Sequence, residues 1–483
     1  MNTRRLTKKE MWIFAIGQLG WSLLAGIINT WLVTFYLPTQ SDRELGALQY
    51  LTPGLVIFGC ITLLGLITAI CRLFDAITDP LVASLSDKSK NKRGRRIPFM
   101  QYSAIPFAIL TVVVFCAPGG EALRGVNFAW VLIFLILFYF CMTLYCTPYN
   151  ALISEFGKTQ DDRMYISTAI SLTYFFGLLL AYVPFVVAGP LKNLGLSFAW
   201  SYRVCFIALA VVALICMLLP TFLLHERDFV DSIPSDSNVF KSLVSTFKNK
   251  DFKIFVGSDI MYWVGLTLFQ TGLPYFVKVL MHDSDGSTTL YYMAAMTLLS
   301  ACLYPVVSKL VSRFGKKKLV IFGFLGLALS YLFASLASVI DVKLFGDFTL
   351  CGVLIVIVAA FPMALLGIIP QSIVADIAEE DAINTKENRQ GMFFAARTFA
   401  MKLGQTIAML AFTSLAIIGS TQSANADDIV ASSLGCTIVA IVAIVFCVLG
   451  ALILCFYDEK KVMSVISKED KDQWYYAYYL LFW

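Results

Sequence analysis

The sequence predicts an all-α membrane protein with twelve transmembrane helices arranged in two bundles of six. Hydrophobic residues make up 59% of the 483 residues, charged residues make up only 14%, and the mean hydropathy is +0.77. A soluble fold of this length does not need so much apolar surface, so lipid is the expected solvent. The apolar runs are continuous, whereas the strands of a membrane β-barrel alternate in short runs. This pattern excludes a barrel.

Twelve apolar runs are each long enough to cross a bilayer as a helix, which needs roughly 20 residues. The first run directly follows a basic N-terminal segment and is too long for a cleavable signal peptide, so we interpret it as the first membrane helix. The predicted spans are residues 11–36, 55–85, 98–118, 126–153, 165–189, 202–224, 253–279, 288–311, 319–341, 349–374, 392–418 and 432–457.

Positive charge is distributed unevenly among the segments that join these runs. Of the 37 Lys and Arg residues, 28 lie in the two terminal segments and in the loops after the even-numbered runs. Another 6 lie in the remaining loops and 3 lie within helices. Cytoplasmic loops carry such an excess of Lys and Arg. Both chain ends are therefore predicted in the cytoplasm, and the net charge of +5 gives no indication of nucleic-acid binding.

The longest polar interruption divides the chain into two sets of six runs. Paired six-helix halves, with a substrate site near the bilayer midplane, are the arrangement of secondary transporters. A short, basic, glycine-containing loop follows the second run of each half. The predicted domains are an N-terminal bundle over 1–224, a cytoplasmic central loop over 225–252, a C-terminal bundle over 253–457 and a cytoplasmic tail over 458–483.

The segment RLFDAITDP, residues 72–80, places an arginine and two aspartates inside the second apolar run. Asp75 and Asp79 are four residues apart and share one helix face, and Thr78 adds a hydroxyl oxygen beside them. Asp75 lies about 16 Å of helix before Ser86, which places the pair near mid-membrane. A carboxylate there costs about 2.5–3.5 kcal/mol on insertion scales, so a functional role is the default hypothesis.

Two carboxylates on one face repel each other unless one is protonated or a cation lies between them. Na⁺ or Li⁺ with hard oxygen ligands, or H⁺, would meet this need, so Asp75 and Asp79 are predicted to form a cation site. The alternative is a structural ion pair between Arg72 and one aspartate. Lys402, within the eleventh run, would balance the aspartates when no cation is bound; a fixed lysine–aspartate link between helices is the alternative. Arg397, nearer the end of that run, is expected to extend to the membrane surface.

Two further segments carry distinctive side chains. The acidic residues between 376 and 381 are predicted in the loop after the tenth run, where they would be solvated or would pair with basic loops. The aromatic end of the chain, DQWYYAYYLLFW at 472–483, is predicted as a short segment at the membrane interface.

Four motifs occur in order: RLFDAITDP at 72–80, DKSKNKRGRRIPF at 87–99, TPYNALISEFGKTQDDR at 147–163 and VADIAEEDAINTKENRQGMFFAARTFAMKLG at 374–404. Together they resemble motifs of the glycoside–pentoside–hexuronide:cation symporters, a family of the major facilitator superfamily. The resemblance covers most of the chain. It implies the major facilitator fold, cation-coupled transport of a sugar, glycoside or glucuronide, and a location in the inner (plasma) membrane of a bacterium.

The resemblance also implies roles for residues of the predicted cation site, by their position in the motifs. Thr143 matches a hydroxyl ligand in the fourth helix of the family, and Lys402 matches a lysine in the eleventh. Arg72 joins Lys402 as a predicted coupling residue. The predicted cation ligands are Asp75, Thr78, Asp79 and Thr143, with the two aspartates as the Na⁺ candidate.

The sugar site that the resemblance implies departs from the pattern of the melibiose carrier. Aspartates in the first and fourth helices correspond here to Ser22 and Cys146, and an arginine in the fifth corresponds to Ser171. The rest of the cavity lining is predicted to be aromatic and neutral, so that rings stack on sugar faces and amides bind hydroxyls. The predicted substrate-binding residues are Trp21, Ser22, Asn29, Cys146, Tyr149, Asn150, Ser171, Tyr174, Trp263, Gln270 and Gln405.

The predicted function is symport of a sugar, glycoside or glucuronide with Na⁺ or H⁺ by alternating access. One alternative is a cation-coupled or uncoupled transporter of an amphiphile such as a lysolipid or a drug-like compound. Another is a membrane scaffold or receptor that does not transport. The sequence shows no nucleophile–base pair, metal cluster or phosphate loop, so an enzyme is not expected. The predicted partners are the small-molecule substrate and membrane lipid; a monomer is expected, with no cofactor besides the coupling ion.

Overall fold

Helices make up nearly all the regular structure in the part of the chain that the structure describes. In the described residues, nine helices are long and apolar enough to cross a membrane, which agrees with the predicted all-α membrane class. Three other predicted spans also coincide with helices, while the count of twelve crossings stays a prediction. The structure is a computed structural model, and it describes residues 4–52, 54–57, 61–87, 89, 91, 93–119, 121–157, 160–229, 246–283, 285–340, 342–385, 390–420 and 429–467.

The first half of the chain contains the elements before residue 230. Its two strands pair as an antiparallel hairpin. The elements are α1 (Lys8–Tyr36), α2 (Gln40–Glu44), β1 (Leu55–Ile57), β2 (Ile61–Thr62), α3 (Leu63–Asp87), α4 (Ile97–Val113), a 3₁₀ turn (Glu121–Leu123), α5 (Arg124–Phe156), α6 (Gln160–Leu180), α7 (Pro184–Asn193), α8 (Phe198–Leu223) and α9 (Glu226–Phe229).

The second half contains the described elements after residue 245, again with one antiparallel hairpin. A helix over residues 459–467 follows the last of these elements. They are α10 (Lys250–Tyr275) with a π-helical turn (Phe276–Leu280), α11 (Thr288–Phe314), α12 (Lys316–Leu336), β3 (Lys343–Phe345), β4 (Phe348–Thr349), α13 (Leu350–Thr385), α14 (Gln390–Leu415) and α15 (Ser433–Leu454).

Three predicted spans differ from the observed helices. The span 55–85 begins with the β1–β2 hairpin, so its helix starts only at Leu63. The span 165–189 is interrupted after α6, and Pro184 starts α7 at a first-turn position, where its missing N–H costs nothing. The helix of the tenth predicted span, α13, continues past residue 374 through ADIAEEDAINT, because most of these residues favour helix. The acidic cluster therefore lies in the last turns of α13, and its predicted loop position is wrong.

The aromatic segment 472–483 lies outside the described residues.

Local signals fix where the first helix begins and how closely it packs. The Thr7 hydroxyl accepts from the backbone N–H of Glu10, and the Glu10 carboxylate returns to the N–H of Thr7, so a capping box starts α1. Gly177 of α6 lies against α1, where an added Cβ would come 2.7 Å from the carbonyl oxygen of Leu19. This close approach explains a glycine in mid-helix and brings α6 against the helix that carries Trp21.

Polar contacts join the two halves at the end of the molecule opposite the start of α1, here called the distal face. Nζ of Lys278 lies 2.6 Å from Oδ1 of Asp42, and both side chains are only 2% exposed. The Tyr275 hydroxyl donates to the carbonyl of Leu37 at 2.6 Å. A capping box with Thr39 orients Asp42. These contacts join the two halves at the distal face.

At the opposite end, here called the basic face, ion pairs between described residues stay within one half. Nη2 of Arg96 lies 2.8 Å from Oε1 of Glu155 in the first half, and Nζ of Lys316 lies 2.5 Å from Oδ2 of Asp376 in the second. Burial raises the pKa of the Glu155 carboxyl, and the nearby arginines partly offset that rise. The described ion pairs therefore lock the halves together at the distal face and not at the basic face.

Lys278→Gln is expected to open the distal face. The substitution leaves the Asp42 carboxylate buried without its cation, and breaking one partner of a buried pair costs about 3–5 kcal/mol. Leu48 and Tyr291 are exposed residues of the two halves near this face. Spin labels at these two positions are expected to show a longer and broader distance distribution in the Lys278→Gln variant.

The matched control for this prediction is Lys343→Gln. Lys343 forms an exposed pair with Asp347, whose loss should cost little because solvent screens both charges. The distance distribution is expected to stay unchanged in the control. If Lys278→Gln also leaves it unchanged, the buried pair does not hold the distal face closed.

Candidate ion site and central cavity

A lysine ammonium group lies between two carboxylates where the halves meet. Nζ of Lys402, on α14, is 2.8 Å from Oδ2 of Asp75 and 2.6 Å from Oδ2 of Asp79, both on α3. Nζ donates to Asp79 and to the backbone carbonyl of Asp75, whereas its contact with Asp75 Oδ2 is an ion pair without a directed hydrogen bond. Asp75 is fully buried, and the Asp79 side chain is 27% exposed. The structure thus brings the predicted carboxylates and the predicted lysine together.

Hydroxyl groups of α5 bind the other oxygen of each carboxylate. The Thr143 hydroxyl donates to Oδ1 of Asp75 at 2.7 Å, and the Thr147 hydroxyl donates to Oδ1 of Asp79 at 3.4 Å. Thr147 is missing from the predicted ligands, although it lies one helical turn from Thr143 on the same face. The Thr78 hydroxyl donates to the backbone carbonyl of Asp75 at 3.1 Å, and its role as a cation ligand stays a prediction.

Two prolines lie inside the helices that build this site. Pro80 directly follows Asp79 on α3, and Pro148 directly follows Thr147 on α5. A proline lacks the N–H that would bond the carbonyl four residues earlier, and it bends the helix. Membrane helices tolerate such breaks where they border protein or a cavity. The polar side chains of the site therefore lie at the two places where the helix ladder is interrupted.

Arg72 is bound by neutral groups and an aromatic ring. It donates to Oε1 of Gln405 at 2.8 Å and to Oδ1 of Asn29 at 2.5 Å, and its guanidinium carbon lies 4.9 Å from the centre of the Tyr139 ring. The structure therefore does not contain the alternative arrangement, an ion pair between Arg72 and an aspartate of the same helix. Its contacts connect α1, α3, α5 and α14 around the site.

A cavity with two adjoining lobes lies beside the ion site, between the halves. The polar lobe, of about 410 Å³, is bounded by Arg72, Asp75 and Lys402 together with amide and aromatic side chains. The apolar lobe, of about 350 Å³, is bounded mainly by methionine, leucine and aromatic side chains. Five residues line both lobes and so mark the boundary between them: Tyr174, Leu178, Trp263, Gln371 and Arg397.

Most of the predicted substrate-binding residues line this cavity. Ser171 and Gln270 lie on the apolar lobe, and Tyr174 and Trp263 lie on both lobes. Their role in binding stays a prediction, because position in a cavity wall does not identify a ligand. Those on the polar lobe alone are Trp21, Ser22, Asn29, Asn150 and Gln405.

Two of the predicted substrate-binding residues do not line either lobe. Tyr149 is fully buried, its ring stacks on Phe14 at 4.3 Å, and its hydroxyl donates to the Phe14 carbonyl at 2.9 Å. Cys146, on the same helix, is also absent from the walls of both lobes. The predicted position of Tyr149 in the cavity lining is therefore wrong, while the binding role of the half-buried Cys146 stays a prediction. Tyr149 joins α5 to α1 as part of the packed core of the first half.

A second buried ion pair lies in the second half, and sequence reasoning did not find it. Nε and Nη2 of Arg397 lie 2.9 and 3.0 Å from the two carboxylate oxygens of Asp259, on α10. The Arg397 side chain is 10% exposed and that of Asp259 is 1% exposed. The prediction that Arg397 extends to the membrane surface is therefore wrong. The bidentate pair with Asp259 holds the guanidinium group inside the protein. The signal in the sequence is Asp259 itself, a carboxylate within the seventh apolar run.

The described residues contain nine membrane-length apolar helices, and a cavity and buried charges lie between the two halves, which is the architecture of a multi-pass membrane transporter. The profile of the family described as MFS/sugar transport protein matches residues 13–460, and the chain belongs to this family. The resemblance to the glycoside–pentoside–hexuronide:cation symporters of the major facilitator superfamily is thereby confirmed.

Three curated relatives illustrate the range of named activities in this group. The chain is 25% identical to a lactose permease of Leuconostoc lactis, over 88% of this chain and 65% of that one. It is 22% identical to an isoprimeverose transporter of Lactiplantibacillus pentosus, over 65% and 62% of the two chains. It is 21% identical to the sodium-dependent lysophosphatidylcholine symporter 1 of Xenopus tropicalis, over 83% and 82%.

Solved structures support the fold alone. The inward open form of the xylose transporter XylE from Escherichia coli aligns with 95% of this chain and 98% of its own, with a TM-score of 0.62 and 15% identity. At this level of identity the likeness identifies the major facilitator fold and does not identify a substrate.

Proposed function

We propose that the protein couples the entry of a small cation, Na⁺ or H⁺, to the uptake of a sugar or glycoside. The observation that carries this proposal is the position of the Lys402 ammonium group between the Asp75 and Asp79 carboxylates, on the wall of the central cavity. A positive charge already occupies the place where a coupling ion would have to be. The names of the relatives, two sugar transporters and one sodium-dependent symporter, support the same proposal.

In this proposal the cation and Lys402 compete for the two carboxylates. Carboxylate and hydroxyl oxygens are the hard ligands that Na⁺ prefers, and Asp75, Asp79 and Thr143 offer them within one small space. Cation entry frees the ammonium group, which removes a direct link between α3 of the first half and α14 of the second. Occupancy of the site thus alters how the halves are joined. Substrate and cation must then raise each other's affinity by the same factor.

The proposed topology has twelve crossings, two six-helix bundles with the boundaries predicted above and both chain ends in the cytoplasm of a bacterial cell. The excess of Lys and Arg at the basic face supports this orientation. With the distal face held shut by the Lys278–Asp42 pair, the described conformation would face inward. Alternating access then requires that this pair separate and that contacts form between the halves at the basic face.

Uptake by proteoliposomes tests the proposed function. The purified protein is reconstituted and supplied with a panel of radiolabelled sugars, glycosides and glucuronides under an inward Na⁺ gradient, an inward H⁺ gradient or neither. Accumulation above the external concentration is expected under one of the two gradients. If the protein only equalises the internal and external substrate concentrations, and neither gradient causes accumulation, coupling to a cation is rejected. Vesicles that take up no compound of the panel would reject sugar transport.

A second candidate substrate is an amphiphile such as a lysolipid. The apolar lobe favours it, and so does the relative that is named a lysophosphatidylcholine symporter. Adding a labelled lysophosphatidylcholine to the same panel separates the two proposals. Uptake of the lysolipid without uptake of any glycoside would favour the second candidate.

A further inference from the structure

The apolar lobe is lined mainly by methionine, leucine and aromatic side chains, with Gln18, Gln270 and Gln371 as its amide groups. It measures about 350 Å³, beside a polar lobe of about 410 Å³. Pockets for small ligands run from about 300 to 1,000 Å³, so each lobe is large enough for a separate part of one ligand. The polar lobe already supplies the amides, charges and aromatic rings that a sugar needs. The apolar lobe is therefore available to a different chemical group.

The lining of the apolar lobe fits an apolar group of variable shape. Met293 and Met296 on α11 and Met363 on α13 face it. Methionine is unbranched and polarizable, so it adapts to different apolar ligands. Among the described residues that line the lobe, Arg397 alone carries a charge, and Asp259 neutralises it. A charged group entering this lobe would therefore lose its hydration without gaining an opposite charge.

The boundary between the lobes contains the groups that would orient a two-part ligand. Trp263 and Tyr174 line both lobes, where a ring can stack on the face of a sugar. Arg397 also lines both lobes. Asp259 binds its Nε and Nη2, so Nη1 stays available for an oxygen that links the two parts of a ligand. A glycosidic oxygen or a neighbouring hydroxyl would occupy that position.

We infer that the preferred substrates are glycosides with an apolar alkyl or aryl aglycone, bound with the sugar in the polar lobe and the aglycone in the apolar lobe. This inference rests on the proposed function and adds a substrate class to it. A free sugar or a methyl glycoside would leave the apolar lobe to water. A phenyl or hexyl glycoside would bury its aglycone there and bind more tightly, because apolar surface leaves water.

Gly367 offers a direct test, because it lines the apolar lobe and has open space in front of it. A Cβ added at this position would meet only the Tyr304 hydroxyl, at 3.8 Å. Gly367→Phe would therefore fill part of the lobe, and Gly367→Ala is its matched control. Met293→Gln is a second variant, which makes the lobe more polar without filling it.

The measurement is the KM for uptake of methyl and phenyl glycosides of the same sugars, under the gradient that drives transport. In the unmodified protein and in Gly367→Ala, the KM of the phenyl glycoside is expected to be about tenfold lower than that of the methyl glycoside. In Gly367→Phe this difference should disappear, with the KM of the methyl glycoside retained. Met293→Gln should reduce the difference in KM between the two glycosides. It provides the test if Gly367→Phe does not fold.

The outcomes separate this inference from the proposed function. Gradient-driven uptake with equal KM values for the methyl and phenyl glycosides would overturn the inference and leave the proposed function intact. A phenyl preference that survives unchanged in a folded Gly367→Phe variant would also overturn it. Absence of gradient-driven uptake for every glycoside would reject the proposed function and the inference together.

Discussion

Asp75→Asn is expected to abolish gradient-driven accumulation of the substrate while the protein still folds. The amide has nearly the same shape as the carboxylate, but it removes one of the two negative charges that attract a cation. Lys402 keeps Asp79 as its partner at 2.6 Å, so the substitution does not leave a buried ammonium group unpaired. Folding and membrane insertion should therefore be retained, while coupling is lost.

The magnitude follows from the energy in the gradient. A tenfold cation gradient contributes about 1.4 kcal/mol, which can support about a tenfold accumulation of substrate when one cation moves with each molecule. In Asp75→Asn the ratio of internal to external substrate is expected to fall from about ten to about one. Uptake of labelled substrate into proteoliposomes, measured until the internal concentration is steady, gives this ratio directly.

Asp347→Asn is the matched control for Asp75→Asn. It makes the same chemical change at an exposed carboxylate in the second half, and accumulation is expected to be unaffected. Asp79→Asn should lose accumulation as Asp75→Asn does, since both carboxylates bind the ammonium group. Full accumulation by either Asp75→Asn or Asp79→Asn would show that the carboxylate pair is not the coupling site.

Arg397→Leu is expected to cause the largest loss of stability among single substitutions near the cavity. It leaves the Asp259 carboxylate, which is 1% exposed, without the guanidinium group that now binds both of its oxygens. Removing one partner of a buried pair costs about 3–5 kcal/mol because the remaining charge is uncompensated. A thiol-reactive dye in a thermal ramp would measure the change, since buried cysteines such as Cys436 and Cys447 become reactive on unfolding.

The control for this prediction removes both charges at once. In the double variant Asp259→Leu, Arg397→Leu no buried charge is left unpaired, and an apolar replacement of a buried pair is often neutral or stabilising. The melting temperature of the double variant is expected to lie well above that of Arg397→Leu. If Arg397→Leu has the same melting temperature as the unmodified protein, the ion pair contributes nothing to stability. The presence of two buried charges beside the cavity would then need another explanation.

The two aspartates of α3 and the lysine of α14 could be predicted to meet. Asp75 and Asp79 are one helical turn apart within an apolar run, so their shared face follows from helix geometry. A lysine in mid-span has few partners available, so its approach to the aspartates could be predicted from charge alone. Thr147 was missed because a threonine in an apolar run is common, although its position one helical turn from Thr143 on the same face is a signal for it.

Other pairs of residues that are distant in the sequence could not be predicted. Asp42 lies in the short helix α2 and Lys278 in the π-helical turn after α10, so their contact depends on how the two halves are joined. Asp259 and Arg397 are each visible as charges in or near an apolar run, but the sequence does not say which charges pair. Tyr149 was predicted as one of the aromatic residues that line the cavity, whereas the rotation of α5 turns its ring toward Phe14 of α1.

Cation binding to the purified protein tests the central claim most directly. Isothermal calorimetry measures Na⁺ binding, and a pH electrode measures proton uptake when substrate is added. Both measurements are made on the unmodified protein and on Asp75→Asn. The proposed competition predicts that one of the two signals is present in the unmodified protein, is absent in Asp75→Asn and is stronger in Lys402→Gln, where the competing ammonium group is gone. A cation signal that persists at full size in Asp75→Asn would contradict the claim that the carboxylate pair of α3 binds the coupling ion.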